Sequence, residues 1–197
     1  MKKSRSSLVA ILALVVVAAL AVGARLWVWS GSEHSAVAIG GPFTLVDGDG
    51  RTVTDKDFRG RWMLVYFGYT FCPDVCPTSL SVVANALDKL EPAQLDKVVP
   101  LFITVDPARD TTAVMKDYVA AFHPKMVGLT GTPEQIAAVT KAYKVYAAKA
   151  KGADEANYTM DHSSILYLMA PDGSFAAHFP HGTSADDLAA GLKGRLK

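Results

Sequence analysis

The hydrophobic positions of this chain form one long apolar run at the start, followed by short runs separated by polar segments. The long run covers residues 8–29, follows a basic head and is interrupted only by Arg25. About 20 apolar residues suffice for a helix to cross a bilayer, and a basic head stays on the cytoplasmic side. The pattern therefore predicts a single-pass anchor in the inner (cytoplasmic) membrane, with the soluble domain on the periplasmic or exterior side.

A cleavable signal peptide is the alternative interpretation of the same run. The small residues Val22, Gly23 and Ala24 resemble a peptidase site. The anchor is preferred because the apolar character continues past Ala24, and both interpretations export the remainder of the chain. The predicted organisation is a cytoplasmic head and anchor at 1–29, a tether of small polar residues at 30–41, and a folded domain at 42–197.

The folded domain alternates between continuous apolar runs and runs with helical spacing. Asp-Gly pairs at 47–50 predict an opening hairpin, and the Pro171–Gly173 turn predicts a closing hairpin within 163–180. Between the hairpins, strands are predicted at 62–69, 98–105, 126–131 and 144–150, with helices at 77–90, 110–122 and 132–143. A final amphipathic helix is predicted at 184–197. This alternation is typical of an α/β domain with a central mixed sheet, whose sites form beyond the carboxyl ends of strands.

The distribution of charge argues against one class of partner, nucleic acid. The chain has 20 lysines and arginines against 19 acidic residues, and four of the cations lie within residues 1–30, which hold no acid. The remainder is therefore mildly acidic, with 20 − 4 = 16 basic residues against 19 acidic ones. A nucleic-acid-binding domain would carry a basic surface, so no nucleic acid partner is expected.

The candidate chemistry begins with Cys72 and Cys76, the two cysteines of the chain, each followed by a proline in "CPDVCP". A residue before proline is pushed out of the helical region, and proline inside a helix clashes with the preceding turn. The two sulfurs are therefore predicted to lie in a turn, with a helix that begins at Pro77. The positive end of that helix should favour the thiolate of Cys76.

Several uses of this cysteine pair remain open from the residues alone. A structural disulfide is possible in an exported protein, but closing so small a loop stabilises least. A position at the end of a buried strand favours reversible chemistry, which is either thiol–disulfide exchange or binding of a soft metal. Thr70–Phe71–Cys72 also resembles the active-site segment of a peroxidase of the peroxiredoxin type. In peroxiredoxins, however, the threonine usually lies one residue further from the cysteine.

A third ligand would strengthen metal binding at the two sulfurs, and histidine is the usual candidate. His162 stands just before a strongly apolar strand and is better placed than the other histidines, which are His34, His123, His178 and His181. A lone histidine is more often a surface residue or a satisfied core residue than a ligand. Sequence spacing does not decide whether His162 meets Cys72.

Five stretches carry a resemblance to a known family. They are "FGYTFCPDVCPTSL", "LFITVDPARDT", "KMVGLTGT", "AYKVY" and "DHSSILYLMAPDG", in this order, within about residues 40–195. Together they closely resemble the Sco (SenC) family of membrane-anchored copper proteins. The resemblance implies a thioredoxin-like fold, with Cu(I) or Cu(II) bound by the sulfurs of Cys72 and Cys76 and the imidazole of His162.

The resemblance also implies a function. The family assists assembly of the dinuclear copper A centre of cytochrome c oxidase, as a copper chaperone that delivers the ion or as a thiol–disulfide oxidoreductase that reduces that centre's cysteines. The first role is not enzymatic in the strict sense. The expected partners are the oxidase subunit, a thiol reductant and an upstream copper donor. Asp106 and Asp110 match the family's "DPxRD" motif and are expected to shape the surroundings of the site, with a helix cap as the alternative role of Asp110.

Overall fold

The computed structural model describes residues 14–23, 25, 38–150 and 157–196. The chain divides into one unit at Met1–Val37 and a second at Ala38–Lys197. In the first unit residues 14–23 are helical. Across the described residues, no helix is both long enough and apolar enough to cross a membrane. Much of the anchor expected at 8–29 and most of the expected tether lie outside the described residues, so both stay predictions.

A seven-stranded mixed sheet forms the centre of the second unit. The strands of the described residues are β1 (Thr44–Asp47), β2 (Thr52–Thr54), β3 (Trp62–Gly68), β4 (Val98–Thr104), β5 (Val127–Thr130), β6 (Ala147–Lys149), β7 (Met160–His162), β8 (Leu166–Met169) and β9 (Phe175–Phe179). The sheet order is β2-β1-β5-β4-β3-β8-β9, and β6 pairs with β7 in a separate ribbon. Strands β3, β4 and β5 are parallel to one another, and the other neighbours are antiparallel.

Helices connect these strands. Their bounds are α1 (Val75–Leu87), α2 (Pro92–Leu95), α3 (Thr112–Ala120), α4 (Pro133–Ala142) and α5 (Ala185–Lys193), with a short 3₁₀ helix at Asp55–Phe58. The predicted helix at 132–143 is present as α4 and starts with a capping box, in which Thr132 and Gln135 exchange side-chain and backbone hydrogen bonds. Both predicted hairpins are also present, as β1–β2 and β8–β9. The α/β prediction with a central mixed sheet is therefore confirmed.

The central parallel strands form the core, as their continuous apolar runs predict. Every residue of β4 is buried, and only Trp62 at the start of β3 is partly exposed. A strand that is covered on both faces needs no polar alternation, which explains why these two segments lack it. The core places the carboxyl ends of β3, β4 and β5 along one edge of the sheet.

Two boundaries differ from the prediction. Helix α1 begins at Val75 and not at Pro77, so Cys76 lies within its first turn. Pro77 is tolerated there because the first backbone N–H groups of a helix have no intrahelical partner, and the carbonyl four residues earlier precedes the helix. Strand β7 was not predicted, because three residues in a polar segment are too few to show a strand period.

A buried carboxylate ties the ends of the parallel strands together. The Asp110 side chain accepts hydrogen bonds from the hydroxyls of Thr70 and Thr104, both at 2.6 Å, and from the Thr70 N–H at 3.1 Å. The Asp110 carbonyl accepts from the Thr130 hydroxyl at 2.8 Å. Burial raises the pKa of this carboxyl. The cap of α3 is Thr111, so the helix-cap role of Asp110 is wrong.

Replacing Asp110 by alanine should destabilise the domain by at least about 2 kcal/mol, because several buried donors lose their acceptor at once. Urea unfolding of the metal-free protein measures this loss. The matched control is Asp117→Ala on the exposed face of α3, expected to change stability by less than about 0.5 kcal/mol. Equal losses in the two variants would contradict the anchoring role of the buried carboxylate.

Candidate metal centre

The two cysteines lie on either side of the start of α1. Cys72 is in the loop that follows β3, and its N–H donates to the Tyr69 carbonyl at 3.3 Å. Cys76 is in the first turn of the helix, and its N–H donates to the Cys72 sulfur at 3.4 Å. Cys76 is fully buried, whereas Cys72 is half-buried, and neither is in a disulfide. The pair therefore has one sulfur near the surface and one in the core.

His162 ends strand β7 and faces the buried sulfur. Its Nε2 lies 3.4 Å from the Cys76 Sγ, and its Nδ1 lies 3.2 Å from the Ser163 carbonyl oxygen. A carbonyl oxygen can only accept, so Nδ1 carries the proton and donates. The Nε2 atom is then unprotonated, and its lone pair faces the sulfur, which is the form of imidazole that binds metals.

These three donor atoms converge on one point. The sulfurs of Cys72 and Cys76 and a ring nitrogen of His162 all lie within 4.8 Å of one another. Sequence spacing alone could not decide whether His162 meets the cysteines, and the fold brings them together. His123 lies near Asp88, and His178 stacks on Phe175, so neither belongs to this cluster. His34 lies outside the described residues.

Burial sets the protonation of the cluster. It raises the pKa of the Cys76 thiol, despite a backbone hydrogen bond from Tyr69 that favours the thiolate. The prediction that the helix start would favour the Cys76 thiolate is therefore wrong in its net direction, because desolvation outweighs the hydrogen bonds that lower the pKa of this thiol. Burial also lowers the pKa of His162, which keeps its imidazole neutral. A metal ion that binds here must displace the Cys76 proton.

Gly68 also belongs to the site, although the sequence pattern did not predict a role for it. A Cβ atom at this position would lie 2.7 Å from the Cys76 Sγ and 2.8 Å from the Phe102 ring. The absence of a side chain at the end of β3 therefore lets the buried sulfur lie directly against the strand. A glycine at the end of an otherwise large apolar run is the available signal, because such glycines often mark a close approach.

Aromatic rings fix the orientation of the imidazole. The Tyr69 and Tyr66 rings both meet the His162 ring edge-on, with centroids 5.8 Å and 6.3 Å away. Edge-to-face contacts of this kind are favourable beyond the area that they bury. The imidazole is therefore held between the strand end and the cysteine loop, with Nε2 directed at the sulfurs.

The donor set defines the kind of metal that fits. Two sulfurs and one imidazole nitrogen are soft and borderline donors, which suit late transition metals such as Cu(I) and not Mg²⁺ or Ca²⁺. Structural zinc sites usually have four protein ligands, whereas this cluster offers three. Cys72 and His162 are both partly exposed, so the cluster is not sealed from solvent. The molecule is thus an α/β domain with a candidate Cys₂His metal centre at the carboxyl edge of its sheet.

Comparison with known proteins assigns this class to a family. The family model described as SCO1/SenC matches residues 31–197, and the chain belongs to that family. The domain has the family's thioredoxin-like fold. The chain is 44% identical over 162 residues to "Protein SCO1 homolog 1, mitochondrial" of Arabidopsis thaliana, covering 82% of this chain and 48% of that protein. The human "Protein SCO1 homolog, mitochondrial" is 41% identical over 160 residues, covering 81% and 53%.

The match thus spans about half the length of these mitochondrial relatives. A solved structure, that of Bradyrhizobium japonicum ScoI with copper bound, superposes with a TM-score of 0.71 at 48% sequence identity. The superposition covers 80% of this chain and 99% of that one.

Gly68→Ala should displace the Cys76 sulfur or the Phe102 ring and cost roughly 1–3 kcal/mol, as overpacking of a filled core does. Urea unfolding measures the loss, and thiol labelling of the metal-free protein should show faster modification of Cys76. Gly194→Ala is the control, because its Cβ would lie 3.6 Å from the Ala190 carbonyl oxygen, an ordinary contact. Unchanged stability and labelling in Gly68→Ala would show that the close approach is not required.

The lowered pKa of His162 predicts how the metal-free protein responds to acid. As the pH falls through about 6.5, the unfolded chain takes up a proton at this residue before the folded chain does. Stability is therefore lost on acidification, by at most about 1.4 kcal/mol per pH unit from this group. Urea unfolding at pH 7.5 and pH 5 should show a larger loss in wild type than in His162→Gln. The same loss in both proteins would contradict the burial of a neutral imidazole.

Proposed function

We propose that this protein binds one copper ion through the sulfurs of Cys72 and Cys76 and the Nε2 atom of His162. The observation that carries the proposal is the convergence of these three donor atoms within 4.8 Å, with the Nε2 lone pair directed at the Cys76 sulfur. Solved relatives at 48% and 43% identity, from Bradyrhizobium japonicum and Arabidopsis thaliana, are described with copper bound.

The ion is cargo in this proposal, and the cluster is built to accept it and release it. Two thiolates favour Cu(I), and the imidazole adds a donor that also suits Cu(II). Because Cys72 is half-buried, an acceptor's ligand can approach the ion from its side while Cys76 and His162 still hold it. The Cys76 thiol gives up its proton as the ion binds, so binding weakens as the pH falls.

Membership of the SCO1/SenC family suggests the destination of the cargo. We propose that the protein delivers copper during assembly of the dinuclear copper A centre of cytochrome c oxidase. The partners in this role are the oxidase subunit that holds the centre, an upstream copper donor, and a thiol reductant. The reductant is needed because only the reduced cysteine pair can bind the ion.

The same proposal assigns a location. An anchor at residues 8–29 would hold the domain at the inner (cytoplasmic) membrane as a single-pass protein, with residues 42–197 on the periplasmic or exterior side. The support is the length of the apolar run and the basic head before it. Anchoring would keep the domain close to a membrane-bound oxidase and raise its effective concentration there.

Thiol–disulfide exchange is a second candidate function, which the asymmetry of the cysteine pair favours. Cys72 is accessible, whereas Cys76 is buried and donates its N–H to the Cys72 sulfur. In this role the Cys72 thiolate attacks a disulfide of the partner, and Cys76 then resolves the mixed disulfide. The partner's disulfide gains two electrons and two protons, and Cys72 and Cys76 become a disulfide. This reaction does not require His162.

One variant separates the two functions. His162→Ala should weaken Cu(I) binding by more than about 100-fold, since loss of a ligand exceeds the 10–100-fold effect of losing an outer partner. Competition with a chromophoric Cu(I) chelator measures the affinity. Cys72→Ser and Cys76→Ser should lose both copper binding and thiol exchange, whereas His162→Ala should lose copper binding alone.

The control is His178→Ala, an exposed histidine on β9, which should bind Cu(I) as wild type does. Full Cu(I) affinity in His162→Ala or in either serine variant would overturn the proposed copper site. A cysteine pair that exchanges with a model disulfide while the wild-type protein binds no Cu(I) would instead establish the second candidate.

A further inference from the structure

The strand that carries His162 does not belong to the central sheet. Strand β7 pairs with β6 in a two-stranded antiparallel ribbon, in which Ala147 is paired with His162 and two further residue pairs follow. Cys72 and Cys76, in contrast, follow directly from β3 in the central sheet. No backbone ladder between described strands joins these two parts. The three residues that connect β7 to β8, the neighbour of β3, together with side-chain packing therefore set the distance between the imidazole and the sulfurs.

Arg109 makes polar contacts with the segment that leads into β7. Its Nη1 donates to the Tyr158 carbonyl at 2.9 Å, and its Nε donates to the Asp106 carboxylate at 2.5 Å. The Tyr158 hydroxyl donates to the other oxygen of the same carboxylate at 2.7 Å. Each pair among Asp106, Arg109 and Tyr158 is thus joined by a hydrogen bond. Tyr158 lies four residues before His162 in the sequence.

The same guanidinium also packs against the cysteine loop. Its Cζ lies 4.6 Å from the centroid of the Phe71 ring and 5.8 Å from that of Tyr69. It also lies 3.6 Å from the centroid of the Tyr158 ring. Phe71 immediately precedes Cys72, and Tyr69 contacts the His162 ring edge-on. One side chain therefore touches both the cysteine loop and the segment before the histidine.

The chemistry of arginine suits this position. Its planar group donates to two different acceptors within its plane while its face covers aromatic rings, which the compact ammonium of lysine cannot do. The remaining nitrogen, Nη2, is buried and has no hydrogen-bond partner among the described residues. Burying an unsatisfied donor costs free energy, which offsets part of the stability that the other contacts of Arg109 contribute.

We infer that Arg109 is a positioning residue that holds the ribbon carrying His162 against the cysteine loop, so that the imidazole stays within reach of an ion on the two sulfurs. The inference rests on the proposed copper site and adds to it a residue that binds no metal. The inference places its effect on copper at His162, whereas an effect through Phe71 and the cysteine loop would persist when the imidazole is removed.

A double-mutant cycle in the full-length protein tests this directly. Arg109→Met should lower Cu(I) affinity about 10-fold when His162 is present, the low end of the effect of losing a residue that orients a ligand. In the His162→Ala background the same substitution should change affinity less than about 2-fold, since there is no imidazole to position. Arg109→Lys should not restore the affinity. The matched control is Arg61→Met, an exposed arginine, which should change neither value.

Hydrogen–deuterium exchange on the metal-free protein supplies a second measurement. Arg109→Met should speed exchange in β6, in β7 and at the adjacent Ser163 amide, which donates to the Tyr146 carbonyl, while the amides of β4 stay protected. Equal losses of Cu(I) affinity with and without His162 would overturn the inference, as would unchanged affinity with unchanged ribbon exchange. If the methionine variant unfolds, Arg109→Lys is put through the same cycle and must show the same dependence on His162.

These outcomes separate the inference from the proposed function. Failure of the wild-type protein to bind Cu(I), or full binding by His162→Ala, contradicts the copper site itself. If only the inference about Arg109 is wrong, the wild-type protein still binds Cu(I), and His162→Ala still loses that binding.

Discussion

The buried carboxylate of Asp110 is the interaction on which the rest of the centre depends. It accepts hydrogen bonds from Thr70, in the loop that leads to Cys72, and from Thr104 at the end of β4. Its backbone carbonyl accepts from Thr130 at the end of β5. The carboxyl ends of three parallel strands are thereby fixed relative to one another, and the cysteine loop has one position above them. Without that fixed loop, a histidine supplied by a separate ribbon would have no defined partner.

The centre combines opposing requirements. Burial keeps Cys76 protonated and His162 neutral, which suits a folded protein without metal because no isolated charge lies in the core. A metal ion reverses the preference at Cys76, because its charge replaces the proton. The half-buried Cys72 supplies a partly accessible side, which exchange requires. Cys76 is fully buried beneath the end of β3, whereas Cys72 and His162 are both partly exposed, so only one of the three donors is sealed from solvent.

Much of this arrangement could be predicted from the sequence, and the exceptions have physical reasons. Continuous apolar runs predicted β3 and β4, helical spacing predicted α4, and turn residues predicted both hairpins, because these signals are local. The cysteine pair and its place at a strand end were predicted for the same reason. The start of α1 was misplaced because proline in a first turn costs little. The role of Gly68 and the contacts of Arg109 depend on residues distant in sequence, which no local pattern encodes. Convergence of His162 with the cysteines was suggested by family resemblance alone, since β7 is too short to be detected.

X-ray absorption at the copper edge of the Cu(I)-loaded protein tests the three-ligand centre most directly. The geometry of Cys72, Cys76 and His162 predicts a first shell of two sulfur scatterers and one nitrogen scatterer, with the outer-shell signature of an imidazole ring. The His162→Ala protein should lose that imidazole signature and keep both sulfurs. A wild-type spectrum with sulfur scatterers alone, or one that is unchanged in His162→Ala, would contradict the centre described above.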